Sequence, residues 1–327
     1  MARTPTNPAA APDELAHSRR VGAANVLAAL LGWSAVPLLL RDLADRGVDF
    51  WSNNGWRYGA SAVLWLPYVL WHAWRGRMPK GIWKAAIVPS IANIAGQACF
   101  TAAFGMAGPG IVTFGLRSQL IFVALGAWFL FPAERAVMRT VRYLVGFVLL
   151  IVGLTPVLIG GEFALGGSHG SGVLMAVFSG LGYACYGLSV RRFMAAYHPV
   201  LAFAVICQLT AIGLIALMLA FGRDGGAYVP SLGSRELVFL AISAVAGIAA
   251  GHVFYYIAIA RLGVAVTSGV LQLQPFLVSA ASAFVFEERL TGFQWLGGFV
   301  AVGGAVLMLT AERKAPQQAQ ASSETGD

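Results

Sequence analysis

Apolar runs of about 20 residues recur along nearly the whole of this 327-residue chain, and they constrain its fold more than any other feature. A helix rising about 1.5 Å per residue needs roughly 20 residues to cross a hydrocarbon core about 30 Å thick. Ten such runs are present, at 22–40, 52–73, 83–104, 109–132, 141–160, 171–190, 199–221, 236–259, 264–286 and 292–311. A membrane barrel would instead show alternating segments of about ten residues. The expected fold is therefore an all-α membrane protein with ten transmembrane helices. Composition agrees, since 58% of residues are hydrophobic and only 11% charged, against roughly 25% charged in a soluble domain.

The connectors set the orientation. Lys and Arg are retained on the cytoplasmic side of a membrane. With the N-terminus inside, fifteen of the 22 basic residues fall in cytoplasmic segments and five in outer ones, leaving Arg57 and Arg117 within spans. Both termini are expected in the cytoplasm of a multi-pass protein in a bacterial-type inner membrane. The net charge of +8 forms no continuous stripe, so anionic lipid is the expected partner and nucleic acid is not. Residues 1–20 and 313–327, rich in Pro, Ala and polar residues, read as disordered cytoplasmic tails. The run ending at Leu40 is too long for a signal-peptide core and reads as an uncleaved first span.

An internal repeat appears at an offset of 150 residues. Gly32-Trp33-Ser34 with Arg41 aligns on Gly182-Tyr183-Ala184 with Arg191, and Glu134-Arg135 aligns on Glu288-Arg289 after a four-residue shift. Two units follow, 21–161 and 170–312, each with five spans. Five is odd, so the halves would cross the membrane in opposite senses, the inverted symmetry from which carriers build two alternately open faces.

The second half reads Gly247, Gly251, Tyr255-Tyr256, Arg261-Leu262-Gly263, Gln274-Pro275, Glu287-Glu288-Arg289-Leu290, then Gln294 with Gly297-Gly298 and Gly303-Gly304. That succession resembles the drug/metabolite transporter superfamily in its EamA-type ten-helix branch. The first half matches more loosely, through Trp33-Ser34, Arg57 and Glu134-Arg135. It departs from the pattern at Ile121, which stands where Pro275 stands in the second half. The resemblance implies a basket of two inverted five-helix repeats around a cavity lined mainly by spans 1, 3, 4, 6, 8 and 9.

Arg117 is the most informative candidate. It lies roughly 12 Å into span 4, where a charge costs on the order of 3 kcal/mol unless it faces a polar cavity or a partner. No Asp or Glu lies inside any span. The guanidinium either grips a substrate carboxylate or snorkels and caps carbonyls. Arg57, shallower in span 2, reads as the structural partner of Glu288. His252 is the single mid-depth group that titrates near neutral pH, as a proton relay or as a neutral hydrogen-bonding residue. Asn93 and Gln97 share a helix face, and Gln272 precedes Pro275 by three residues, where a proline frees a carbonyl. Trp33 and Tyr183 are repeat mates that can form two walls of one pocket, with Tyr255 adding aromatic surface. The expected cavity set is Arg117, Trp33, Asn93, Gln97, Tyr183, His252, Tyr255 and Gln272, with Arg57, Glu288 and Pro275 structural. The glycine stretches of span 10 serve a homodimer or packing within the fold.

No phosphate loop, metal-ligand cluster, nucleophile triad or ATP-hydrolysing domain is legible, so neither catalysis nor a cofactor is expected. Cys99, Cys185 and Cys207 read as small core residues. The expected function is a secondary carrier, read as an exporter, of small amino-acid-like or carboxylated metabolites by alternating access. The alternative is an efflux carrier for hydrophobic cations.

Overall fold

Helices form because hydrocarbon offers no hydrogen bonds to a bare backbone, and a helix satisfies its own. The computed structural model describes residues 12–132, 135–159, 168–262, 267 and 270–324, and no strand occurs among them. Glu134 of the sequence repeat lies outside these residues, as does the 160–167 connector. In chain order the helices are α1 (Pro12–Asp45), α2 (Phe50–Trp74), α3 (Ile82–Phe104), α4 (Pro109–Leu130), α5 (Val141–Ile159), α6 (Ser168–Phe193), α7 (Pro199–Phe221), α8 (Ser234–Ala244 and Gly251–Leu262, joined by the π-helical turn Val245–Ala249), α9 (Gln274–Val285) and α10 (Gly292–Glu324).

Eight of these are long and apolar enough to cross a membrane. The other two are α2 and α9. Helix α2 has the length, but Asn53, Asn54, Arg57 and His72 lower its hydropathy. In α9 the expected run 264–286 is broken by a turn at Gln272 and Leu273, after helical residues at Thr267, Val270 and Leu271, and the long segment starts at Gln274 with Pro275 in its first turn, where the missing N–H costs nothing. Pro275 thus starts a helix and does not kink one. At the termini α1 begins at Pro12 and α10 runs to Glu324, beyond the tail boundaries expected at 20 and 312. The C-terminal flank is rich in Ala and Gln, which favour helix.

The most extensive packing joins α5 to α10, α3 to α6, α2 to α7 and α1 to α8, and α4 packs against α6 and α9. Glycine permits the closest approaches. A Cβ on Gly153 would stand 2.2 Å from the amide of Ala301, one on Gly304 would stand 2.5 Å from the Gly146 carbonyl, and one on Gly182 would stand 2.6 Å from Gly96 Cα. Gly297 and Gly298 are likewise taken up inside the fold, against Pro156 and Phe114, whereas Gly303 is exposed with nothing near it. Large apolar side chains such as Leu31, Val63, Phe129 and Phe284 face outward, as a lipid-facing surface requires. Cys185 is among the exposed residues, and only Cys207 is fully buried.

At one end of the bundle the two halves are tied by polar contacts. Arg46 pairs with Asp42 at 2.8 Å and Glu236 at 3.1 Å, and Arg235 pairs with Asp42 at 2.7 Å. Asp49 caps α2 through the Ser52 amide and also accepts from the Tyr228 hydroxyl and the Arg223 amide. Burial pushes the Asp49 carboxyl up, but the hydrogen bonds from Ser52, Tyr228 and Arg223 outweigh it and hold the group below the ordinary carboxylate value.

Glu288 does not pair with Arg57. Its carboxylate accepts from the amides of Gly110 at 3.1 Å and Ile111 at 3.3 Å, and from the Ser282 hydroxyl. The N-cap Gly108 has no side chain to offer, so an acidic residue from the second half satisfies the free amides at the start of α4.

Three outcomes are expected. Gly153→Val lowers the yield of monodisperse protein in detergent sharply, while Gly303→Ala leaves it near wild type. Glu288→Gln lowers thermal stability by about 1 kcal/mol, the scale of a lost helix cap, and the double exchange Arg57→Glu with Glu288→Arg recovers nothing over the single variants. Because the Asp49 value is depressed, its stabilisation is complete above the ordinary carboxylate range and is lost as pH falls through the depressed value. Asp49→Asn therefore flattens the acid side of the curve of melting temperature against pH.

Candidate functional site

Two helices of the bundle are interrupted near the middle of their spans. In α4 a single 3-10 turn, Leu116–Ser118, separates two α-helical segments, and before α9 a turn at Gln272 and Leu273 does the same. Short 3-10 pieces inside a helix often mark hinges or sites, because they re-aim side chains. Here the two breaks bring Arg117 against Gln272 and Gln274. Arg117 Nη2 donates to Gln274 Oε1 at 2.7 Å, and Nη1 makes a long contact of 3.4 Å to Gln272 Oε1. Both acceptors are neutral. The Nε of Arg117 is buried and has no partner, and neither does the hydroxyl of Ser118 beside it.

Gln274 links this group to α1. Its Nε2 donates to the Trp33 carbonyl at 2.7 Å, so one amide side chain serves the guanidinium with its oxygen and the first helix with its nitrogen. Trp33 extends the link, since its indole N–H donates to the Gly247 carbonyl at 3.1 Å. Gly247 belongs to the π-helical turn of α8, where Ala250 N reaches back to Val245 O. Gly251 makes room for the indole, because a Cβ there would stand 2.4 Å from Trp33 Nε1. The Trp33 ring also meets His252 edge-on, with centroids 5.5 Å apart, and Tyr255 at 5.4 Å. His252 stacks on Phe203 at 4.5 Å and its Nδ1 lies 3.0 Å from the Ile248 carbonyl, which places it in an aromatic stack and not in a chain of acids.

The other expected residues divide. Asn93 is engaged in bridging helices, donating to the Tyr58 hydroxyl at 3.1 Å and to Thr210 at 3.3 Å. Gln97, one turn further, keeps a buried Oε1 without a partner. Tyr183 packs on Phe100 and over Gly96. Trp33 and Tyr183 are not among the ring pairs in contact. Arg57 Nη2 lies 3.4 Å from the position a Cβ on Gly247 would take, the same glycine that receives the Trp33 indole.

Two polar residues of this region stood outside the expected cavity set. Gln274 was visible as a second amide beside a proline. Arg57 carried the same signal as Arg117, a span cation with no span carboxylate to meet it. Arrangement and charge give the region one chemical character: cationic, with neutral amide and phenol groups and aromatic walls. Among the described residues no group of three or more His, Cys, Asp or Glu stands close enough to hold a metal ion. A separate cavity of about 190 Å³ lies at the α1–α2 connector, bordered by Leu40, Val48, Asn53 and Thr101.

Residues 170–310 match the EamA-like transporter family. No curated protein matches the sequence. A crystal structure of a protein 17% identical to this chain superposes with a TM-score of 0.61, covering 92% of this chain and 99% of its own. At that identity the likeness is one of fold alone. The family match thus identifies residues 170–310 of this multi-pass membrane protein as an EamA-like transporter unit.

Proposed function

We propose that the chain is a secondary carrier that exports small carboxylated or amino-acid-like metabolites by alternating access, with Arg117 as the group that binds the substrate's negative charge. One observation carries this reading: the Arg117 guanidinium is held by two neutral glutamine oxygens and by no carboxylate. A cation held that way keeps its full charge for a ligand. A structural arginine in hydrocarbon would instead be matched by an acid. The glutamines fix the fork while leaving Nε free, and a planar guanidinium suits a carboxylate better than a point charge does. The fixed charge disfavours hydrophobic cations in a medium of low dielectric.

Ten spans in two inverted five-helix repeats, with both termini cytoplasmic, form part of the same proposal. The packing scheme supports it. Exchanging each helix of one half for its counterpart in the other turns the α1–α8 pair into α6–α3 and returns α2–α7 and α5–α10 to themselves. The interruptions of α4 and α9 fall at matching places before Arg135 and Arg289, and breaks of this kind at a midplane site are how many carriers expose backbone and side chains to substrate. Between them the two breaks supply Arg117 and both of its glutamine partners.

The test is transport into inverted vesicles against a panel of labelled carboxylates and amino acids. Arg117→Lys keeps charge without the fork and Arg117→Gln loses both, so affinity for the transported anion falls in the order wild type, Lys, Gln. The full loss is roughly ten- to a hundredfold, the scale of one charged hydrogen bond. Folded yield stays near normal, since removing a buried charge also removes its desolvation cost. Unchanged affinity in Arg117→Gln, or a cation as the transported species, overturns the reading.

A further inference from the structure

Arg57 is 2% exposed, and its Nε and Nη1 have no hydrogen-bond partner. Among the described residues it makes no ion pair, since Glu288 is occupied at the start of α4. Asp42 and Asp45 near the end of α1 and Glu236 at the start of α8 pair with Arg41, Arg46 and Arg235. A buried guanidinium in this state is costly in any fold, and more so where water is scarce. It persists where a ligand completes it.

Its position gives the ligand a shape. A series of hydrogen bonds runs from Arg117 through Gln274 to the Trp33 carbonyl, and from the Trp33 indole N–H to the Gly247 carbonyl, and Arg57 Nη2 lies 3.4 Å from where a Cβ on Gly247 would stand. Arg117 is thus linked to the backbone carbonyl of Trp33 through Gln274, with Gln272 also beside it, and Arg57 lies by the glycine that receives the Trp33 indole. Ser34, next to Trp33 on α1, and Gln97 add buried oxygens without partners.

We infer that Arg57 is a second anion-binding position, and that the substrate class is an elongated small molecule with an acidic group at each end, of the α,ω-dicarboxylate type, bound along Trp33 between Arg117 and Arg57. The inference rests on the reading of Arg117 as an anion-binding group and extends it. Two fixed positive charges without internal counter-charges favour a dianion over a monoanion, because each carboxylate is paired inside a low-dielectric space. Both arginines offer the two-pronged geometry that a carboxylate matches.

Calorimetric titration of the purified full-length protein tests this, using straight-chain α,ω-dicarboxylates of about four to eight carbons beside monocarboxylates of equal length, a range set by the span of one tryptophan side chain. For wild type the expected result is at least a tenfold preference for the dicarboxylate at one or more lengths. Arg57→Gln brings that ratio close to one, with the loss falling on the dicarboxylates, and Arg57→Lys reduces it severalfold. Arg117→Gln weakens both series. No preference at any length in wild type overturns the inference, as does a preference that survives Arg57→Gln. Should Arg57→Gln not elute as folded protein, an undiminished preference in Arg57→Lys overturns it equally. Unweakened binding of both series in Arg117→Gln sinks the Arg117 reading itself, a different failure.

Discussion

One side chain, Gln274, holds the centre of this molecule together. In hydrocarbon a donor or acceptor left bare has no water to fall back on, so each polar group must be answered by another. Gln274 answers two at once, taking the Arg117 guanidinium on its oxygen and giving its nitrogen to the backbone of α1. It can do so because Pro275 ends the preceding segment and starts α9, which sets the amide at a break and not along a regular helix face. The direction of Arg117, the position of Trp33 and the register of α1 against α9 all follow from that bridge.

Around it, the bundle is assembled by two different chemistries. Where α5 meets α10, backbone lies on backbone across glycines, and van der Waals contact does the work that the hydrophobic effect does in water. Where α2 meets α3 and α7, polar side chains do it, with Asn93 joining Tyr58 and Thr210, Asn54 joining Thr101 and Gln97 O, and Gln208 reaching Ala62 O. The polar chemistry lies on the helix too hydrophilic to be recognised as a span by apolarity alone, and α2 is held by hydrogen bonds instead.

The sequence showed what depends on one residue or one run. Apolar length revealed most of the helices, and the cost of a mid-span charge singled out Arg117. What it hid depends on partners distant in the chain. Glu288 was assigned to Arg57 because opposite charges at similar depth suggest a pair. Its true partners are backbone amides at Gly110 and Ile111, which carry no side-chain signal. Asn93 and Gln97 were equivalent by spacing, and only the neighbouring helix distinguished them: Thr210 and Tyr58 claim the first, and nothing claims the side-chain oxygen of the second. Pro275 was read as freeing a carbonyl within span 9, because periodicity cannot tell a proline inside a helix from one at its beginning.

The Glu288 cap and the α5–α10 seam have a bearing on how the chain is made. Helix α4 leaves the ribosome with its first amides unanswered, and α5 with its glycine face uncovered. The groups that complete them lie far along the polypeptide, in Glu288 and α10. The N-terminal half therefore waits, inserted but unfinished, until those segments have been translated. Quality control during membrane insertion has a long interval in which to act on it.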